Sequence, residues 1–140
     1  MLTDPYGTSP ITKRIIGCAI RVHDVLGPGL FESIYNECLQ YEFKQDGLSF
    51  QANVKAPVIY KGLHLKSTFY LDLVVEHLVP VELKSISMLA AIHQKQLLSQ
   101  LWLTNLPVGL LINFNVETLT NGGVKRMING KYRPSKPHKP

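Results

Sequence analysis

Three residues in the middle of the chain have the types and spacing to hold a hard divalent cation beside a reacting water: Asp72 in YLDLVV, and Glu82 and Lys84 in VPVELKS. Side chains alternate along a strand, so Glu82 and Lys84 share a face and Leu83 takes the other. If Glu76-His77-Leu78 is a three-residue hairpin loop, Val75 opposes Val79 and Asp72 falls opposite Glu82, with Cβ atoms ~5 Å apart. A two-residue loop would set Asp72 against Leu83 and break up the cluster. The chemistry therefore dictates the register. Two carboxylates on rigid strands suit Mg²⁺, with Mn²⁺ as the alternative, because these ions keep waters and bind phosphate. Such an ion lowers the pKa of a bound water and clamps a phosphate oxygen. Lys84 can orient or deprotonate the attacking water, or offset charge on the phosphate. The competing reading is a cross-strand ion pair on a solvated sheet face. Against it, Asp72 lies among Phe69, Leu71, Leu73 and Val74, and Glu82 between Val81 and Leu83. Charges inside a covered sheet need a partner or an ion.

The elements that must position this trio read as follows. Ser9-Pro10 opens a first helix, with Ser as N-cap and Pro at the first helical position. Ile15, Ile16, Ala19 and Ile20 give its apolar stripe, and Gly27-Pro28-Gly29 ends it. A second helix runs from about Phe31 to Gln45, with Phe31, Ile34, Tyr35, Cys38, Leu39 and Phe43 at helical spacing. Residues 49–60 are extended and interrupted by Pro57, which predicts an edge or bulged strand. Residues 67–75 and 79–85 are two more strands, rich in β-branched and aromatic residues. A third helix spans about Met88 to Thr104. The apolar run 108–114 fits a central strand covered on both faces, and Val124 to Ile128 can form a last one. Strand, helix and strand from 79 to 114 have the length of a crossover joining parallel strands. The order ααβββαβ(β) predicts a mixed α/β (α+β) fold, a central mixed sheet flanked by helices, in a single domain over residues 1–130. Residues 131–140 are basic and Pro-rich and predict a poorly ordered tail.

The whole chain has 140 residues, enough for one domain with a real core at 45% hydrophobic content. No apolar run reaches the ~18 residues of a membrane span, and the N-terminal MLTDPYGTSP does not have the pattern of a secretory signal. Cys18 and Cys38 lack metal-site spacing and read as buried, reduced thiols, so a cytoplasmic setting is expected. The formal net charge is +5, unevenly spread. Residues 118–140 carry six Lys/Arg and no acid, against nine Lys/Arg and ten Asp/Glu in the rest. A basic segment beside an acidic site suits a protein that handles a polyanion; a solubilising tail is the plain alternative. His23, His64, His77 and His93 show no ligand spacing, although His93 lies one turn from Gln96.

Residues 29–35, Gly-Leu-Phe-Glu-Ser-Ile-Tyr, match the motif that names the GxxExxY family. YLDLVVEHLVPVELKS (70–85), HQKQLLSQL (93–101), GLLINF (109–114) and GVKRMING (123–130) also resemble it, in the right order over most of residues 11–130. That family is placed in the PD-(D/E)XK nuclease superfamily. The resemblance implies a nuclease-like core, with Asp72 and Glu82 as metal-binding acids, Lys84 as the catalytic Lys, Glu32 as the helix acid reaching the site, and Gln96 as the helix-motif Gln of RecB-like members. Two departures stand out: Leu71 replaces the Pro before the metal Asp, and Gln100 stands where RecB-like members have a Tyr four residues after the Gln. Glu32 also has a plain reading, as an acid in a first helical turn. The expectation is a Mg²⁺-dependent hydrolase of nucleic-acid phosphodiesters, on DNA first and with RNA kept as the alternative, with Lys125 and Arg126 on the phosphate backbone and no membrane partner. A homodimer, or a partner supplying the target, would add specificity. The alternative is a nucleic-acid-binding or protein-interaction module that keeps the fold without cutting; a metal-dependent phosphatase is a weaker third.

Overall fold

The computed structural model of the protein describes residues 4–134. Helix α1 (Ser9–Leu26) and helix α2 (Glu32–Gln45) lead into strands β1 (Phe50–Tyr60), β2 (Leu63–Val75) and β3 (Val79–Lys84). Helix α3 (Ala91–Thr104) then crosses to β4 (Val108–Asn113), and β5 (Val124–Ile128) closes the order. The five strands form one sheet in chain order, with β3 and β4 parallel and every other pair antiparallel. This is the mixed α/β architecture read from the sequence, with the parallel pair where the crossover requires it.

Several element boundaries differ from the expectation by one to four residues. Thr8, not Ser9, is the N-cap of α1; the Asp4 carboxylate accepts the amides of Thr8 (2.8 Å) and Ser9 (3.2 Å). Helix α2 starts at Glu32, so Phe31 is a cap residue facing solvent and Ile34 stays partly exposed, while Tyr35, Leu39 and Phe43 are buried. Helix α3 begins at Ala91, because the His93 ring accepts the Ala90 amide at 2.9 Å and caps it there. His93, one turn from Gln96, is thus a capping residue. The second strand starts at Leu63, not residue 67. Lys61 and Gly62 both have positive φ, +49° and +81°. A two-residue turn of that kind matches the strands' twist and lets β1 and β2 pair to their tips.

The main core lies between the sheet and helices α1 and α2. It includes Ile15, Tyr35, Leu39, Phe43, Leu73, Val81, Leu110 and Ile112. A smaller cluster on the other face joins Leu97 and Leu101 of α3 to Leu111. Gly109 lets that helix sit close, since a Cβ there would meet the Leu97 methyls at 3.1 and 3.2 Å. Of the segment expected to be a loose tail, residues 131–134 make contacts. Lys131 lies 4.0 Å over the Trp102 ring, and Arg133 and Asn105 exchange two hydrogen bonds. Residues 135–140 lie outside the described range. Among the described residues no helix is long and apolar enough to cross a membrane.

Candidate active site

The hairpin between β2 and β3 has the register that the carboxylate pair requires. Val75 pairs with Val79, Val74 with Pro80 and Leu73 with Val81. Glu76 and His77 adopt positive φ (+53° and +54°), and the Leu78 amide donates to Val75 O at 3.0 Å, closing a three-residue loop. One step further, Asp72 meets Glu82. There the backbone ladder stops and side chains replace it. Glu82 Oε1 accepts the Asp72 amide at 3.3 Å, and Asp72 Oδ2 accepts the Leu83 amide at 2.9 Å. The strands fork, and the two carboxylates are laced into the fork.

Glu32 is brought to the fork by a tightly held turn. Gly29, at φ +95°, makes a bend that side-chain-bearing residues resist. The Tyr35 hydroxyl donates to Gly27 O at 2.6 Å and accepts the Leu30 amide at 3.2 Å. Its ring, fully buried, stacks on Phe114 at 4.3 Å. Gly29 and Tyr35 therefore set the entry to α2, and Glu32 is the first residue of that helix. Ser85, just past β3, completes the placement: its hydroxyl donates to Leu30 O (2.6 Å) and its amide to Glu32 Oε1 (3.3 Å). Asn113, buried at the end of β4, holds the next step by exchanging hydrogen bonds with the Ile86 backbone at 3.1 and 3.0 Å. Sequence reasoning missed Ser85 and Asn113. The one available signal was an amide at the end of the apolar run GLLINF, where a buried polar group needs partners.

The fork opens two ways. One cleft, of about 340 Å³, is lined by Asp72, Glu32, Glu37, Ser33 and Asn36. The other, a groove of about 470 Å³ between the sheet and α3, holds Glu82 with Lys84, Phe69, Lys95, Gln96 and Gln100. The first is acidic; the second carries the lysines. Glu82, in the groove, is hydrogen-bonded to Asp72 of the cleft, and its carboxyl is pushed up to about 7, first by loss of hydration and then by the charge of Asp72. Lys84 acts in the opposite direction and does not cancel the rise. Such a site favours a cation beside the two acids. Gln100 Oε1 is buried in the groove and has no hydrogen-bond partner among the described residues. Those residues also contain no set of three His, Cys, Asp or Glu side chains grouped for a metal. The donor set on hand is therefore two carboxylates, with Glu32 close enough to act on the Glu82 charge. That is an open donor set, of the kind that suits an ion keeping several of its waters.

The two basic residues of β5 part company. Lys125 pairs with Leu111, which pairs with Glu82, so Lys125 lies on the row of the site two strands away. Arg126 alternates to the other face. Its side chain is only 11% exposed and bonds to Asp4 at 3.2 Å. This guanidinium ties the start of the chain to the sheet. His23 is likewise structural, its ring 2.7 Å from Val116 O. Cys18 and Cys38 are free thiols.

A family model described as the PD-(D/E)XK nuclease superfamily matches residues 9–127, which covers every element from α1 into β5. No curated protein matches the chain. No solved structure matches it either.

Proposed function

Because the chain belongs to the PD-(D/E)XK nuclease superfamily, we propose that it hydrolyses phosphodiester bonds of nucleic acid, DNA in preference to RNA, with Mg²⁺ or Mn²⁺ held by Asp72 and Glu82. The observation that carries this reading is the fork: two carboxylates interlocked through each other's strand amides, one of them raised to about 7. The narrower kinship, to the GxxExxY family, is supported by what Gly29, Glu32 and Tyr35 do together in bending, holding and presenting the helix acid.

Each side chain then has a task. Asp72 and Glu82 hold the ion, which when bound supplies an activated water and neutralises charge on the phosphate. Lys84 shares the face and groove of Glu82 and orients the attacking water, or offsets the charge that builds on the phosphate. Glu32, held by the Ser85 amide, positions water at the acidic mouth. Gln96, on the groove wall, contacts the substrate strand, and Lys125 meets a phosphate further along the row. The water oxygen bonds to phosphorus as one P–O ester bond breaks.

The test is incubation with labelled single-stranded DNA, duplex DNA and RNA in Mg²⁺ or Mn²⁺, with Asp72→Asn and Lys84→Ala alongside. Cleavage by the parent that is lost in both variants is the expected result; cleavage surviving both rejects the mechanism. One feature favours a second reading, a module that binds without cutting: no third ligand side chain completes the metal set among the described residues. Binding retained with no cleavage in any ion would decide for it.

A further inference from the structure

The sheet carries an extension of which the site uses only Phe69, at its base. Strand β2 pairs with β3 only from Leu73 to Val75, yet it runs back to Leu63 paired with β1 alone. Residues 63–71 with their β1 partners thus form a two-stranded ribbon roughly 25 Å long. Its lower half lies beside α3: Ala56 and Leu71 are buried, and Pro57 and Ile59 share a cavity lining with Leu103 and Leu106. Its base is Asp72 of the fork. The tip and the outer face stay open to solvent: Ile59, Tyr60 and Leu63 at the tip are 54, 59 and 61% exposed, and Tyr70 near the base is 52% exposed.

Its charge has one sign. From Gly47 to Leu71 there is no Asp or Glu, and Lys55, Lys61 and Lys66 are all exposed. Among the described residues no ion pair involves these three lysines. Lys61 instead lies 5.4 Å over the Tyr60 ring. Exposed lysines interleaved with exposed tyrosines are the chemistry that holds a polyanion with stackable bases, and a two-stranded ribbon fits the major groove of a duplex. The acidic cleft at the ribbon's base has the opposite sign, so a strand held by the lysines meets the carboxylates only at the fork.

We propose that the β1–β2 ribbon is the arm that holds the nucleic acid, with Lys55, Lys61 and Lys66 on its phosphates and Tyr60 against its bases or sugars. This rests on nucleic acid being the substrate, but it does not require that the chain cut it. The test is binding of a fluorescein-labelled single strand and a fluorescein-labelled duplex, followed by anisotropy in EDTA across a series of NaCl concentrations. The triple variant Lys55→Gln/Lys61→Gln/Lys66→Gln and the single variant Tyr60→Ser are compared with the parent, with circular dichroism showing that each is folded. The triple variant is expected to bind at least about tenfold more weakly, with a salt slope shallower by ~2–3, near one unit for each phosphate no longer neutralised. Tyr60→Ser is expected to weaken the single strand more than the duplex. Equal affinity and equal slope for parent and triple variant would overturn the proposal, as would a parent that binds neither probe. A change in sedimentation with no change in binding would also overturn it and make the ribbon a surface between copies of the chain. Arm-dependent binding without cleavage would leave the arm standing and remove the nuclease reading.

Discussion

Toward α1 and α2 the sheet presents Leu73, Val79, Val81, Leu83, Leu110 and Ile112, all buried. Toward α3 the same strands present Leu111 to Leu97 and Leu101, and then Glu82 and Lys84 to the polar side of the helix. Alternation along a strand makes this division possible. One set of residues supplies burial, worth about 25 cal/mol per Å² of apolar surface, and the intervening set supplies the polar groups of the proposed site. The difference teaches where a site can be afforded in so small a domain: on the face whose helix covers it incompletely, where polar atoms stay open to a ligand.

The sharpest way to break this comparison is to exchange the expected losses of the two faces. Lys84→Ala or Asp72→Asn is expected to lower cleavage by ~10³-fold, the scale of a lost general acid–base or positioning group, with the melting temperature nearly unchanged. Leu110→Ala should do the reverse, costing about 2–5 kcal/mol in urea unfolding through the cavity it leaves, with the rate per folded molecule preserved. Both faces behaving alike would remove the division of labour.

A second, smaller effect is a pH dependence. The Glu82 carboxyl is raised from 4.5 to about 7 in the folded protein. Below about pH 4.5 it is protonated folded or unfolded and contributes nothing. As pH rises through the interval up to about 7, the unfolded chain gives up the proton first, so stability falls; above that the loss is complete. In EDTA the melting temperature should therefore drop between pH 5 and pH 8 relative to a Glu82→Gln variant. Mg²⁺ competes with the proton for the same carboxylate, so its stabilising effect should grow over that interval. A parent and a variant with parallel profiles would show that Glu82 is not the group responsible.

How much of this could be read in the sequence follows from the range of each interaction. The fork was legible because only one hairpin register brings Asp72 beside Glu82, and the structure has that register. The helix order and the parallel pair followed from apolar period and connection length. The supports of the fork were not legible. Ser85 and Asn113 act through backbone atoms of Leu30 and Ile86, partners that no spacing rule brings together. The reach of the ribbon was legible only on one strand: residues 49–60 read as one strand bulged at Pro57, whereas the second strand reads from residue 67, although Leu63 and His64 pair back to Tyr60 and Ile59. Arg126 looked like a twin of Lys125, and only alternation across β5 separates them.

The motif turn offers a gentler probe. Tyr35→Phe keeps the ring stacked on Phe114 and removes one hydroxyl with two partners. It should cost about 1–2 kcal/mol and lower cleavage by roughly tenfold, since Glu32 loses its fixed approach. If the stability loss comes without a rate loss, the turn supports the fold and not the site.

The smallest effect tests the incomplete face most directly. Gln100 keeps a buried Oε1 without a partner in the groove beside Glu82 and Lys84. An unsatisfied buried acceptor costs about 1–3 kcal/mol, and Gln100→Leu removes it at similar volume beside the apolar cluster of Leu97 and Leu101. If the atom serves only the fold, this loss is a defect, and the variant should be more stable with unchanged substrate affinity. If the atom is kept for a ligand, the variant should gain about 1 kcal/mol in unfolding and lose roughly threefold to tenfold in affinity for a labelled strand. Stability and binding measured on the same preparation separate the two, because only the second case moves them in opposite directions. A gain in stability together with undiminished binding would mean that the groove face is unfinished without being functional, and the contrast between the faces would then reduce to packing.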